Sequence, residues 1–250
     1  MERYEGKIVW ITGGSGDIAC ATAERLLEEG ATVILSSRSE ERLGEECRKL
    51  EEKGYEGRIH YLAGDALDYE GCVKTAETIR NTYGRLDVLV CSQGILIHKP
   101  IDVLTTEEWH KVMDVNITSV FYCVKAAVPI MKEQNYGRIV LVSSIGGRRG
   151  RPGVGVNYAA SKAGLVGMTQ LLGYELGPWN ITVNCVAPGP LAGRMLSSLT
   201  QEHIERLKEG TRIHRLGKVS EAAAAIAYLA SDDAAWTTGE VLDVNGGLQY

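Results

Sequence analysis

The chain lacks the basic excess that marks nucleic-acid binding. Its 27 Lys and Arg stand against 32 Asp and Glu, a formal net charge of -5, where a nucleic-acid-binding domain usually carries a positive face. Paired cysteines are missing as well. Cys20, Cys47, Cys72, Cys91, Cys123 and Cys185 are scattered, with no Cys-x-x-Cys pair and no histidine at ligand spacing. That argues against a structural zinc site and against a disulfide framework, so reduced thiols and no bound metal are expected. Long apolar runs are also lacking. The longest, Ala222–Ala230, is too short to span a bilayer, and the polar stretch Met1–Lys7 does not fit a signal peptide. The expectation is a cytoplasmic protein with no membrane or nucleic-acid partner. No linker, low-complexity tract or repeat divides the 250 residues, a length that one α/β core can fill. A single domain over 1–250 is therefore expected.

What the sequence does contain is alternation. Lys7–Thr12, Thr32–Ser36, Ile59–Leu62, Val88–Cys91, Ile139–Ser143, Thr182–Ala187 and Val241–Val244 read as short buried strands. Helical segments fall between them at Ile18–Glu29, Glu40–Lys53 and around 69–83, 107–132, 158–176 and 220–230. Strands that alternate with helices predict an α/β fold, a doubly wound parallel sheet covered on both faces.

Thr12-Gly13-Gly14-Ser15-Gly16 follows the first strand and opens a helix at Asp17 and Ile18. Glycines at such a turn let backbone N–H groups approach a phosphate at the helix N-terminus. A carboxylate at the end of the second strand would bind a ribose 2′-hydroxyl and repel a 2′-phosphate. The chain has Ser36-Ser37-Arg38 there. A hydroxyl beside a guanidinium suits a 2′-phosphate, so NADP(H) is expected over NAD(H). The competing reading is that Arg38 opens a solvated helix with Glu40, Glu41 and Arg42.

Tyr158-Ala-Ala-Ser-Lys162 sets a phenol and an ammonium four residues apart, on one face of a helix. A free phenol titrates near 10 and is a poor acid–base group at neutral pH, but a nearby ammonium favours the phenolate. Taken alone, such a pair is common by chance. Here Ser143-Ser144 ends a strand fourteen to fifteen residues upstream, where open α/β sheets place ligand-binding groups.

At this point the chain resembles the short-chain dehydrogenase/reductase family over nearly its whole length. The resemblance rests on Thr12-Gly13, Asp65, Gly94, Asn116, Ser144, Tyr158, Lys162, Asn184-Cys-Val-Ala-Pro-Gly189 and the ending from Thr238-Gly239 to Gly246-Gly247. It implies a Rossmann fold and an NADP(H)-dependent oxidoreductase interconverting a ketone and a secondary alcohol. Tyr158 would be general acid or base, Lys162 would bind the nicotinamide ribose and depress the Tyr158 pKa, Ser144 would bond the carbonyl oxygen, and Asn116 would hold a relay water. Asp65 would contact adenine. Gly13, Ser15, Gly16, Asp17, Ile18, Ser37, Arg38, Ala66, Gly94, Pro188, Gly189 and Leu191 would complete the cofactor site.

The chain departs from the family's pattern at Asp17 and Ala19, where glycines are usual, at Cys91-Ser92-Gln93-Gly94, usually Asn-Asn-Ala-Gly, and around Ala192-Gly193, where threonine is common. A carboxylate at Asp17 suits the helix dipole but sits badly beside a pyrophosphate. A substrate lid is expected at about 190–215, with Met195, Leu196 and Leu199 on a short amphipathic helix. Gln93, Ile95, Ile145, Val154 and Met195 are the candidate substrate contacts, and Arg148, Arg149 and Arg151 rim the site, where they could attract an anion. The overall pattern is similar to 3-oxoacyl-carrier-protein reductases. Asn135-Tyr136 and Trp179-Asn180 replace basic residues often found in those enzymes, which favours a small ketone over a carrier-bound one. The resemblance also implies a homo-oligomer, tetramer or dimer, joined through two long central helices. The alternatives are a carrier-protein-dependent reductase of fatty-acid or polyketide synthesis and a cofactor-binding sensor without turnover.

Overall fold

Strands that are apolar on both faces belong in the middle of a parallel sheet, and those that alternate belong at its edge. The computed structural model, which describes residues 2–151, 153–197 and 199–248, follows that rule. Its main strands are β1 (Ile8–Thr12), β2 (Thr32–Ser37), β3 (Ile59–Ala63), β4 (Val88–Cys91), β5 (Gly137–Val142) and β6 (Ile181–Pro188). Two short ones, β7 (Leu191–Ala192) and β8 (Gly217–Lys218), pair with each other, and β9 (Val241–Val244) completes the main sheet. The sheet is parallel, in the order β3-β2-β1-β4-β5-β6-β9. The four central strands, β1, β4, β5 and β6, are buried at every position; β3 and β9 at the edges are not.

Strand alternation sends neighbours to opposite layers. Ile8 and Trp10 join one core with Leu89, Ile139 and Val183; Val9 and Ile11 join the other with Val88, Val140 and Val186. The helices that cover these layers are α1 (Asp17–Glu28), α2 (Glu40–Leu50), α3 (Tyr69–Tyr83), α4 (Thr106–Met113), α5 (Ser119–Gln134), α6 (Ile145–Arg148), α7 (Val156–Leu176), α8 (Gln201–Gly210) and α9 (Val219–Leu229). This is the doubly wound α/β architecture that the alternation predicts. No described helix is long and apolar enough to cross a membrane. The chain reverses its direction of strand addition between β1 and β4, which opens a crevice beyond the carboxyl ends of those strands.

Two expected helices come out differently. The segment expected as one helix over 107–132 is α4 and α5 joined by a π-helical turn at Asp114–Thr118. The extra residue in that turn aims the buried Asn116 inward, where its amide meets the backbone of Ile95; such turns recur at functional positions. In the segment expected as a lid, Met195 and Leu196 lie in a 3-10 turn, and helix α8 begins after Leu199. The helix starts at Gln201 because Thr200 caps it, its hydroxyl accepting from the His203 N–H at 3.3 Å.

Candidate active site

The carboxyl ends of β1, β2, β4, β5 and β6 open into a cleft of about 1670 Å³. After β1 the chain turns at Gly13, whose φ of +68° and tight packing both demand glycine. A Cβ there would stand 2.7 Å from the Gln93 backbone nitrogen. The turn delivers Gly16 as the N-cap of α1 without any side-chain cap, so the first N–H groups of the helix remain available to a ligand. After β2, Ser37 shares a 3.4 Å hydroxyl contact with Ser15, and exposed Arg38 lines the cleft beside Arg42. Asp65 and Ala66, after β3, line the same end; one Asp65 carboxylate oxygen accepts the Leu67 N–H at 3.0 Å.

Gln93 lines the cleft as well. Its amide donates to Ser119 Oγ at 3.0 Å, and its carbonyl accepts from the Thr12 hydroxyl. Through these two bonds the half-buried Gln93 braces the turn between β1 and α5. Next to it, Gly94 keeps the floor of the cleft open: a Cβ would lie 3.1 Å from Lys162 Nζ and 3.5 Å from Asn116 Oδ1.

Asn116 acts as a clamp. Its Oδ1 accepts the Ile95 N–H at 2.8 Å, and its Nδ2 donates to the Ile95 carbonyl at 2.9 Å and to Ser161 Oγ at 3.0 Å. Ser161 in turn donates to the Tyr158 carbonyl at 2.8 Å. The loop after β4 is thereby tied to α7, the helix that carries Tyr158 and Lys162. The end of β5 is tied to the same helix through Ser143 Oγ, which donates to the Lys162 carbonyl at 2.7 Å. Ser144 follows in extended conformation and caps the short helix α6, accepting from the Gly146 N–H at 3.1 Å.

Tyr158 and Lys162 are both buried. Burial pushes the Tyr158 phenol above its ordinary value, while a hydrogen bond with Ser144 and the positive charge of Arg151 pull it back. Lys162 Nζ donates to the Val142 carbonyl at 2.7 Å and lies 5.9 Å from the centre of the Tyr158 ring. Burial pushes its ammonium down to about 8. Arg151 adds a positive charge that favours the phenolate. Of the loop arginines, it lines the cleft, whereas Arg148 pairs with Asp243 at 3.3 Å.

Pro188, Gly189 and Leu191 form the wall beyond β6, with the Gly189 N–H donating to the Val244 carbonyl at 2.9 Å. Ile95, Ile145, Val154 and Met195 line the cleft. Sequence reasoning missed Arg194, which joins the segment expected as a lid to the glycine turn after β1. The Arg194 N–H donates to Asp17 Oδ2 at 2.6 Å, and its guanidinium bonds Asp17 Oδ1 and the Ser15 carbonyl. The available signal was a pair of opposite charges at two places where the motifs are unusual.

Asn135-Tyr136 and Trp179-Asn180 precede β5 and β6, so they lie at the amino edge of a parallel sheet, away from the cleft at its carboxyl edge. They brace each other instead: Asn180 Nδ2 donates to the Asn135 carbonyl at 3.3 Å, and Lys132 Nζ sits 3.6 Å from the centre of the Trp179 ring.

The chain is similar to known proteins over nearly its whole length. A family described as enoyl-(acyl carrier protein) reductase matches residues 14–249. The 3-oxoacyl-[acyl-carrier-protein] reductase FabG of Thermotoga maritima is 38% identical, covering 98% of this chain and 99% of its own length. The 2-dehydro-3-deoxy-L-rhamnonate dehydrogenase (NAD(+)) of a Sphingomonas strain is 31% identical over 98% of this chain and 96% of its own. Among solved structures, levodione reductase superposes with a TM-score of 0.93 at 30% identity, covering 98% of each chain.

Proposed function

The chain belongs to the short-chain dehydrogenase/reductase family, an oxidoreductase family acting on CH–OH and keto groups, and from that premise we propose that it interconverts a ketone and a secondary alcohol with NADP(H). The observation that carries this reading is the buried phenol of Tyr158, which lines one cleft with Ser144 and with the buried Lys162 of the same helix, whose Nζ lies 5.9 Å from the phenol ring.

The residues of the cleft fit a dinucleotide: the glycine turn leaves the start of α1 uncapped, and Gly94 keeps the space above Lys162 and Asn116 free. Gly13, Ser15, Gly16 and Ile18 would hold its pyrophosphate, Asp65 and Ala66 its adenine, and Pro188, Gly189 and Leu191 its nicotinamide end. Ser37 and Arg38, with no carboxylate at the end of β2, support a 2′-phosphate. When bound, the nicotinamide supplies or accepts the hydride. Ser144 holds the carbonyl oxygen and stabilises the charge that grows on it. Tyr158 gives its phenolic proton to that oxygen in reduction and takes it back in oxidation. Lys162, with its pKa brought to about 8, can return a proton to the phenolate near neutral pH. Asn116 fixes the loop on which Ile95 faces the substrate.

The relatives named as 3-oxoacyl-[acyl-carrier-protein] reductases favour a second reading, a carrier-bound ketone. The free thiols of all six cysteines support the cytoplasm. Exposed Phe121 on α5, with Leu171 and Tyr174 on α7, supports a homo-oligomer through those helices. The test is NADPH consumption across a panel of free ketones and carrier-bound 3-oxoacyl groups. Tyr158→Phe should lower turnover by roughly 10²–10⁴-fold while dinucleotide binding, read by calorimetry, persists. Binding without turnover of any substrate in the unaltered chain would refute the enzymatic reading and leave the sensor.

A further inference from the structure

Two of the unusual residues of this chain's motifs, Asp17 and Gly193, meet in one joint. Asp17 is the first residue of α1, at the turn that would hold a pyrophosphate. Gly193 and Arg194 lie in the lid, 177 positions along the chain from it in the case of Arg194. The lid backbone wraps the carboxylate closely, for a Cβ on Gly193 would stand 2.6 Å from Asp17 Oδ2. The Arg194 N–H donates to that same oxygen at 2.6 Å, its Nε donates to Oδ1, and its Nη2 donates to the Ser15 carbonyl at 2.5 Å. The guanidinium is half exposed, lines the cleft, and its planar fork has further N–H groups beyond those spent on Asp17 and Ser15.

This arrangement resolves a conflict of charge. A bare carboxylate at the phosphate turn would repel the two negative charges of a pyrophosphate. Paired with Arg194, the turn is locally neutral, and a guanidinium, whose fork geometry matches phosphate oxygens, stands at its mouth. We propose that Arg194 is a ligand of the cofactor's pyrophosphate, with Asp17 as the positioning residue that aims it, so that a bound dinucleotide pins the lid to the phosphate turn. The inference rests on the dinucleotide site of the proposed function. It does not depend on the choice between NADPH and NADH, which share the pyrophosphate.

The test uses the full chain and binding readouts. Calorimetry gives the Kd of NADPH and of NADH for the unaltered protein, Arg194→Ala, and the double variant Asp17→Asn with Arg194→Ala. Hydrogen–deuterium exchange over residues 191–210 reads lid pinning. Arg194→Ala should weaken both dinucleotides by about tenfold or more, the size of a charge-assisted hydrogen bond, and should abolish the lid protection that the cofactor confers. The double variant should recover at least about threefold of that loss, because the exposed carboxylate is gone. Arg194→Gln, which keeps the stem, should behave like Arg194→Ala and guards against a folding defect. Affinity in Arg194→Ala within twofold of the unaltered protein, or a double variant as weak as the single one, would overturn the inference alone. Failure of the unaltered chain to bind either dinucleotide would overturn the proposed function with it.

Discussion

Replacing Lys162 with methionine should make the protein more stable while making it inactive. Lys162 is fully enclosed, and burial drives its ammonium from 10.5 down to about 8. Each unit of such a drop is about 1.4 kcal/mol of preference for the neutral amine, so at pH 7 the charged side chain costs the fold about 3 kcal/mol. Methionine has a similar stem and no charge. It forfeits the 2.7 Å hydrogen bond to the Val142 carbonyl, worth about 1 kcal/mol net. Lys162→Met should therefore gain about 2 kcal/mol at pH 7. The sign with pH follows from linkage. The folded pKa lies below the unfolded one, so the cost is fully present below about pH 8. Between 8 and 10.5 the unfolded chain binds more protons than the folded one, and stability rises with pH until the cost is gone. At pH 10 the remaining cost and the lost hydrogen bond, each about 1 kcal/mol, cancel. Urea denaturation of both proteins at pH 7 and pH 10 measures this directly, with turnover assayed in parallel. A variant less stable than the parent at pH 7, or a stability difference that stays constant between the two pH values, would refute the reasoning.

Two further outcomes follow from side chains around the cleft. Arg38→Asp should weaken NADPH by about tenfold or more relative to NADH, through loss of a charge-assisted bond to the 2′-phosphate; equal effects on the two Kd values would sink the NADP(H) assignment. Arg151→Gln removes the positive charge that pulls the Tyr158 phenol down, so the apparent pKa of alcohol oxidation should move to higher pH. An unchanged pH profile would show that Arg151 does not act on the phenol.

Much of the molecule was legible because its rules are local. Each of the seven main strands was readable from a short apolar run, and the four central ones most plainly, since a strand covered on both faces tolerates little else. Tyr158, Lys162, Ser144 and Asn116 were legible as residues, because their spacing and flanking strands are distinctive. What they touch was less so. Asn116 reads as one position in a long helix, but the π-helical turn that aims it depends on the backbone of Ile95, from another loop. The start of the lid helix was misplaced because the apolar pattern of Met195, Leu196 and Leu199 outweighed a single capping threonine at 200.

The hardest residues to read were those whose meaning lies in a distant partner. Asp17 looks like a defect when the phosphate turn is considered alone, and Gly193 looks like a lost contact when the lid is considered alone. Each statement is sound for its own segment. The fold brings the two segments together through the crevice between β1 and β4 and the wall beyond β6. There the carboxylate gains a guanidinium, and the glycine is what lets the backbone pass within reach of it. A neutral joint assembled from two unfavourable parts has a consequence that neither part has. It makes the mouth of the phosphate turn conditional on the lid, because lifting Gly193 and Arg194 away would leave the Asp17 charge exposed to the ligand. Lid opening should then favour release of an anionic dinucleotide by electrostatics as well as by access, since the same movement removes an attractive cation and uncovers a repulsive carboxylate.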